Sequence, residues 1–184
     1  MTVKARYRMM KLAIAILLAT LCNTQTILAQ SKPPLEYQIK AAFLFNFTRF
    51  IHWPATAYTA NDAPFVIGII GNDPFGTYLD DIVKGEEVDG HRIIVRRYRD
   101  VADVMDCQLL FVSSADPVRL KEILLPIVKQ NILTVGDAER FIDAGGIVRF
   151  FKEQNRIKME VKLAAAKSAQ LEISAKLLKV ALVN

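Results

Sequence analysis

Apolar positions in this chain fall into short segments whose spacing predicts a series of helices and strands. Residues 36–53 carry apolar side chains at helical intervals, with Phe43, Phe47 and Phe50 on one face, and a proline follows the segment. Phe45 lies off that face, so the predicted helix is apolar around much of its circumference. We therefore expect a core helix, part of whose surface remains for a partner.

Beyond this helix, strands alternate with helices. Short apolar or β-forming runs predict strands at residues 65–70, 92–98, 108–112 and 132–135. Helices are predicted to begin at Asp73 and at Asp116, each followed by a proline, and a short one at Asp137. The second should run to about Gln130 and bend at Pro126. Strands separated by helices at this spacing indicate a mostly parallel sheet.

The pattern changes towards the C-terminus. Residues 147–152 predict a strand. Residues 157–162 alternate strictly between apolar and charged side chains, which is typical of a strand with one face exposed to solvent. Residues 163–183 have helical propensity, and Ser174 is a candidate cap for a last helix after a break. The predicted fold is α/β: a mostly parallel sheet flanked by helices, with an antiparallel hairpin and a C-terminal helix.

The N-terminal 29 residues have the order of a secretory signal peptide. Four basic residues and no acidic ones lie within the first eleven positions, an apolar run covers residues 12–22, and the small residue Ala29 precedes Gln30. The apolar run is about half as long as a membrane-spanning helix must be. We therefore expect cleavage near Ala29 and export of a single domain, residues 30–184.

Loss of that segment changes the charge balance. The whole chain has 24 basic and 19 acidic residues, but four of the basic ones belong to the predicted signal, so the exported part carries a net charge near +1. The basic character of the whole chain is therefore no argument for a nucleic acid partner, and none is expected.

The chemically reactive side chains do not form a recognisable catalytic or metal-binding pattern. His52 and His91 are far apart and have no neighbours at ligand spacing. Without the signal segment, Cys107 is the sole cysteine, and its place at the start of an apolar strand predicts a buried structural thiol without an internal disulfide. We expect no metal, no cofactor and no enzymatic activity.

Polar side chains follow several predicted strands, at the edge of the sheet where parallel strands end. They are Asn72, Asp73, Ser113, Ser114, Asp116 and Asp137. Open α/β sheets bind ligands at this edge, so the residues form a candidate ligand site, although the acids disfavour a phosphate. The same residue types also cap helices and form turns, which would explain them without a ligand.

Five blocks of the sequence, in order, resemble the YfiR family. They are YQIKAAFLFNFTRFIHWP at 37–54, FVIGIIGNDPF at 65–75, CQLLFVSS at 107–114, ILTVGD at 132–137 and IKMEVKLAAAKSAQLEISAKLLKVA at 157–181. The first and last blocks are the specific ones, because the middle blocks would fit many α/β folds.

This resemblance implies a periplasmic, dimeric and non-enzymatic regulator. The family's repressor binds the periplasmic sensor part of an inner-membrane diguanylate cyclase and holds it inactive, and its release raises cyclic di-GMP and favours biofilm. For such a contact we expect exposed apolar positions of the first helix and the region from the hairpin to the C-terminal helix, around residues 160–171. The candidate partner-binding residues are Phe45, Arg49, Glu160, Lys162 and Leu171.

The chain departs from the family pattern at three positions. The repressor responds to redox state through disulfides, whereas Cys107 has no internal partner here. Lys162 and Gln170 stand where the family often has Asn and Gly, which would begin and end a helix, so a different local geometry is expected. Three interpretations remain open: a contact inhibitor of a membrane signalling protein, a small-molecule sensor or carrier, and an enzyme.

Overall fold

The computed structural model describes residues 33–104 and 106–184. The predicted signal segment and its cleavage near Ala29 lie outside the described residues. Among those described, no helix combines the length and apolar character needed to cross a membrane. The helices are α1 (Leu35–Phe50), α2 (Tyr78–Val83), α3 (Pro117–Leu124), α4 (Leu163–Ser168) and α5 (Ala175–Leu178).

The strands are β1 (Ile51–His52), β2 (Phe65–Gly71), β3 (Glu87–Val88), β4 (His91–Tyr98), β5 (Leu109–Ser113), β6 (Leu133–Gly136), β7 (Val148–Glu153), β8 (Arg156–Val161), β9 (Glu172–Ile173) and β10 (Leu182–Val183). Within the described residues, eight of them form one sheet in the order β10-β8-β7-β6-β5-β2-β4-β3. The pairs from β4 through β7 are parallel, and β7 and β8 form an antiparallel hairpin. The predicted fold class is confirmed.

The sheet buries a separate apolar layer on each face. Because side chains alternate along a strand, Phe65, Ile67 and Ile69 of β2 point to one face and Val66 and Ile70 to the other. The first group packs with α1, α2, α4 and α5. The second packs with α3 and with the turns at 138–145. Both faces of the central strands are thus covered, which explains their nearly continuous apolar sequence.

Helix α1 is shorter than its sequence pattern predicts. It ends at Phe50, and Ile51 adopts an extended conformation with φ −121°. Ile51 and His52 then pair with Ile173 and Glu172 of β9 in a separate two-stranded ribbon. Trp53 turns into the core, where its indole N–H donates to the Gln108 carbonyl over 2.9 Å. Tertiary pairing therefore ends the helix before the proline does.

Three other helix predictions differ in detail. Asp73 does not cap a helix; its carboxylate accepts from the N–H groups of Phe75 and Gly76 in a turn, and α2 begins only at Tyr78. Residues 138–145 form turns and not the predicted short helix. Helix α3 ends at Leu124, before a 3-10 turn at 125–127. The predicted cap at Asp116 is confirmed, since its carboxylate accepts from the Val118 N–H.

The C-terminal region is two short helices separated by a strand, where the sequence suggested a more continuous helix. Helix α4 ends in a Schellman motif: the N–H of Leu171 donates to Ala166 and that of Gln170 to Lys167. Gln170 takes the left-handed conformation, φ 58°, that glycine adopts without strain. The expected change of geometry at Gln170 is therefore wrong, because glutamine makes the same turn. Ser174 caps α5, as predicted.

Candidate functional site

The polar residues of the predicted ligand edge lie where β2, β5 and β6 end. Gly71 at the end of β2 pairs with Ser113, and Asp137 directly follows β6. The Asp137 carboxylate accepts from the Lys40 ammonium over 2.7 Å and from the Tyr37 hydroxyl over 3.2 Å, both on α1. The Lys40 side chain, only 3% exposed, also pairs with Glu36 at 2.6 Å. Helix α1 thus covers this end of β6.

Electrostatics hold the Lys40 cluster in its charged form. Burial lowers the pKa of Lys40, but the hydrogen bonds to Asp137 and Glu36 outweigh it, so the net pKa is raised. The hydrogen bond from Lys40 lowers the pKa of Glu36. Burial and the Asp137 charge raise the pKa of Tyr37, which keeps its hydroxyl protonated as a donor.

The second carboxylate of the edge is also paired. Asp73 accepts from the Arg97 guanidinium over 2.8 Å, and Arg97 contacts Asp80 at 2.5 Å as well. Hydrogen bonds to these acids raise the pKa of Arg97. Ser114 accepts from the Asp116 N–H over 3.3 Å, and Asn72 is exposed. Structural roles therefore account for much of the edge, and a ligand site there stays a prediction.

The candidate partner residues on α1 form a small exposed group. The Arg49 guanidinium lies 4.7 Å from the centre of the Phe45 ring and 3.2 Å from the Glu86 carboxylate. Phe45 is half-buried and packs partly against the core, so it is less exposed than its position on the helix suggested. Arg49 is 56% exposed and provides most of the accessible surface of the pair.

Glu160 lies on the opposite face of the sheet from α1. Phe150 of β7 stacks on Phe47 of α1 with ring centres 5.9 Å apart, so the adjacent Arg149 points away from α1. Glu160 is its register partner on β8 and binds its guanidinium at 2.6 Å. The five candidates therefore do not form one surface.

The remaining two candidates differ in exposure. Lys162 is half-buried just after β8, where its N–H donates to the Ile147 carbonyl. Leu171 is only 5% exposed and belongs to the core. In this conformation it closes the α4 Schellman motif from inside and adds nothing to an accessible surface.

An open cleft lies at the other end of the sheet, where β2 and β4 begin. This amino-edge cleft has a volume of about 570 Å³, and its lining includes His52, Trp53, Tyr58, Asn61, Asp89 and His91. A smaller hollow of about 340 Å³ adjoins it and shares His52 and Asp89. The Tyr58 and His91 rings stack with centres 3.8 Å apart, and His91 Nδ1 lies 2.6 Å from the Ala63 carbonyl.

Sequence reasoning did not find this cleft. The cleft and its adjoining hollow are lined by three separate parts of the chain, around residues 49–61, 89–91 and 172–174. Only the crossover from β2 to β4 and the β1–β9 pairing bring them together. The one available signal is that His91 follows the short Asp89-Gly90 turn, which alone predicts no contact with His52.

The family comparison extends over almost all of the described residues. The model of the YfiR/HmsC-like family matches residues 37–182. The chain belongs to this family. It is a family of periplasmic regulators linked to membrane diguanylate cyclases. No curated protein matches the chain.

In this member of the YfiR/HmsC-like family, Cys107 is buried, as predicted. It is 4% exposed, and its sulfur lies 3.0 Å from the Leu109 carbonyl oxygen. Burial raises the pKa of the thiol to about 12, so the reactive thiolate is disfavoured. Gly68 lies beneath it: a β-carbon there would be 2.7 Å from the Cys107 sulfur and 2.6 Å from the Tyr98 ring. This close packing explains the glycine inside strand β2.

Proposed function

We propose that this protein is a periplasmic regulator that binds the periplasmic part of an inner-membrane diguanylate cyclase and holds it inactive, so that cyclic di-GMP falls. The observation that carries this proposal is the family match over residues 37–182. Contact alone is sufficient for such inhibition. A cyclase in equilibrium between active and inactive arrangements shifts towards whichever arrangement the regulator binds more tightly, and this needs no catalytic group.

The surface that we favour for this contact is the Phe45–Arg49 group on α1. Arg49 lies over the Phe45 ring and extends into solvent, a combination of aromatic and guanidinium that is frequent at the energetic centres of interfaces. The alternative surface includes Glu160, whose side chain is only 15% exposed and already bound to Arg149. The two surfaces lie on opposite faces of the sheet, so substitutions can separate them.

We also propose that the protein is a homodimer. Leu35 and Ile39 lie one turn apart on the outer side of α1 and are 70% and 38% exposed. Apolar side chains in such an arrangement are often covered by a partner in soluble proteins. Multi-angle light scattering at micromolar concentration should give twice the monomer mass. A monomer mass throughout that range would contradict the dimer without affecting the regulator proposal.

The function is tested by deletion and by one surface charge. A strain lacking the gene should contain more cyclic di-GMP, form more biofilm and move less. Phe45→Glu should reproduce the deletion, because a carboxylate replaces the ring that packs under Arg49. Val118→Glu is the matched control, since Val118 is 65% exposed on α3, on the opposite face of the sheet from α1.

Both variants must be checked for folding by circular dichroism before the cyclic di-GMP measurement. A folded Phe45→Glu protein that still represses would exclude the α1 surface and direct attention to Glu160. Unchanged cyclic di-GMP in a clean deletion strain would overturn the regulator proposal itself.

That second result would favour another function, a periplasmic small-molecule sensor or carrier. The observation that favours it is the amino-edge cleft, whose volume of about 570 Å³ is in the range of known ligand sites. Native mass spectrometry of the protein from its own cells would then be expected to show a bound compound that denaturation releases.

A further inference from the structure

The amino-edge cleft and its adjoining hollow form one elongated depression. His52 and Asp89 line both parts, so the depression passes between them from the Ile173 ribbon to Asn61. One wall is the chain from α1 into the loop after β1, and the opposite wall is the turn between β3 and β4. It lies at the opposite end of the strands from the predicted ligand edge.

The uncommitted charges of this depression are negative. Asp89 and Glu172 line it, and neither has an ion-pair partner among the residues that the structure describes. Arg49, at one end, is already bound to Glu86 at 3.2 Å. Helix α1 ends here as well, and the C-terminal end of a helix dipole carries partial negative charge. The other titratable groups in the walls are Tyr58, His52 and His91.

Aromatic faces complete the depression. Tyr58 is fixed by its stack on His91, with an interplanar angle of 7°. Trp53 borders the cleft but is only 6% exposed, and its indole hydrogen bond to Gln108 holds it in the core. A cation gains from lying against an aromatic face, and it gains further from a carboxylate at the same site. Rigid rings beside unpaired carboxylates are the chemistry that recognises organic cations.

We propose that the amino-edge cleft binds an organic cation, an ammonium or guanidinium group, with the Asp89 carboxylate against its charge and the Tyr58 ring against its apolar part. The cation can belong to a free amine or to a basic side chain of a peptide, because the cleft is open at its surface. This assignment concerns the cleft alone and does not depend on the proposed inhibition of a cyclase.

The protein has its own reporter for this site, because Trp53 is its single tryptophan. The purified protein is titrated with a Gly-Arg-Gly peptide whose two termini are blocked. Binding is measured by tryptophan fluorescence and by isothermal titration calorimetry. The same titrations use agmatine, a matched peptide with neutral citrulline, and one with glutamate. We expect saturable binding of the arginine peptide or agmatine, and binding of the citrulline peptide weaker by about tenfold or more.

Asp89→Asn tests the carboxylate with little risk to the fold. Asp89 has a φ of +50°, a conformation that asparagine tolerates well, so the variant removes the charge and keeps the turn. We expect it to weaken cation binding about tenfold. Glu139→Gln is the control, because Glu139 is an exposed acid beyond the carboxyl end of β6. This variant should bind the cation with the affinity of the wild type.

The outcomes separate clearly. Tighter binding of agmatine than of the peptide identifies a small amine as the ligand type, and the reverse identifies a peptide; both support the cation site. Equal binding of arginine and citrulline peptides, preference for glutamate, an unaffected Asp89→Asn variant, or no heat of binding for any probe at millimolar concentration would each overturn it.

Discussion

The buried Lys40 cluster makes an unusual prediction about which substitution harms the protein more. The Lys40 side chain is 3% exposed, whereas its partners Glu36 and Asp137 are 37% and 23% exposed. Replacing Lys40 with methionine removes the buried charge and leaves two carboxylates that water can reach. Replacing Asp137 with asparagine leaves the ammonium buried and takes away one of its two counter-charges.

The expected magnitudes follow from that asymmetry. An unpaired charge in the interior costs several kcal/mol, and losing one partner of a buried pair typically costs about 3–5 kcal/mol. Because Glu36 still pairs with Lys40, we expect Asp137→Asn to lower the free energy of unfolding by about 3 kcal/mol. Methionine fills the volume of the lysine stem, so Lys40→Met should cost only about 1–2 kcal/mol.

The pH dependence gives a second measurement. The pKa of Glu36 is lowered in the folded protein, so its contribution is present above its usual value of 4.5 and is lost as the pH falls through the folded value. The raised pKa of Lys40 contributes stability below 10.5, which is lost as the pH rises through the folded value. Lys40→Met should therefore flatten the stability profile below about pH 4.5 and above about pH 10.5.

Urea unfolding followed by Trp53 fluorescence measures both quantities. Lys129→Met is the matched control, since Lys129 is exposed and its loss should change stability by no more than about 0.5 kcal/mol. If Lys40→Met is clearly more destabilising than Asp137→Asn, or if its pH profile matches the wild type, the reasoning about the buried cation is wrong.

Three further predictions concern other parts of the chain. Cys107→Ser should cost about 1 kcal/mol or a little more, because a hydroxyl replaces a buried thiol, and regulation should survive; in the wild type the thiol should resist iodoacetamide until the protein unfolds. Loss of regulation in a folded Cys107→Ser protein would instead indicate a reactive thiol. Gln170→Gly should raise the free energy of unfolding by about 0.5–1 kcal/mol, since glycine takes the left-handed φ without strain; a lowered urea midpoint would contradict this. Mass spectrometry of the exported protein should find a new N-terminus near Gln30, whereas exported material with Met1 intact would exclude the signal peptide.

The regular elements could be predicted because each is specified locally. The central strands are apolar runs between turn residues, and the β7–β8 hairpin alternates with a period of two, so both appear in the structure near their predicted positions. The predictions are wrong where contacts with residues distant in the sequence determine the local structure. Nothing near Ile51 indicates its pairing with Ile173, and nothing near Asp73 indicates Arg97, 24 residues away.

The candidate site was less accessible to sequence reasoning for the same reason. The sequence pattern predicts Asp137 at the carboxyl edge of the sheet, and it lies there, but its partner Lys40 is 97 positions earlier in the chain. The sequence pattern does not tell whether Glu160 and Phe45 share a surface, and only the strand register places them on opposite faces of the sheet. Local patterns identify which residues are unusual, whereas the fold decides which of them meet.

Helix α1 is fixed near both of its ends. Lys40 binds Asp137 near its beginning, and directly after its end Ile51 and His52 pair with β9. Phe45 and Arg49 lie between these two attachments on a helix of 16 residues. A protein that docks on them would meet a surface that is already ordered, and little conformational entropy would be lost on this side of the complex. Binding there would be rigid-body docking on a preformed surface. Substitutions in it should then change the affinity mainly through the rate of dissociation.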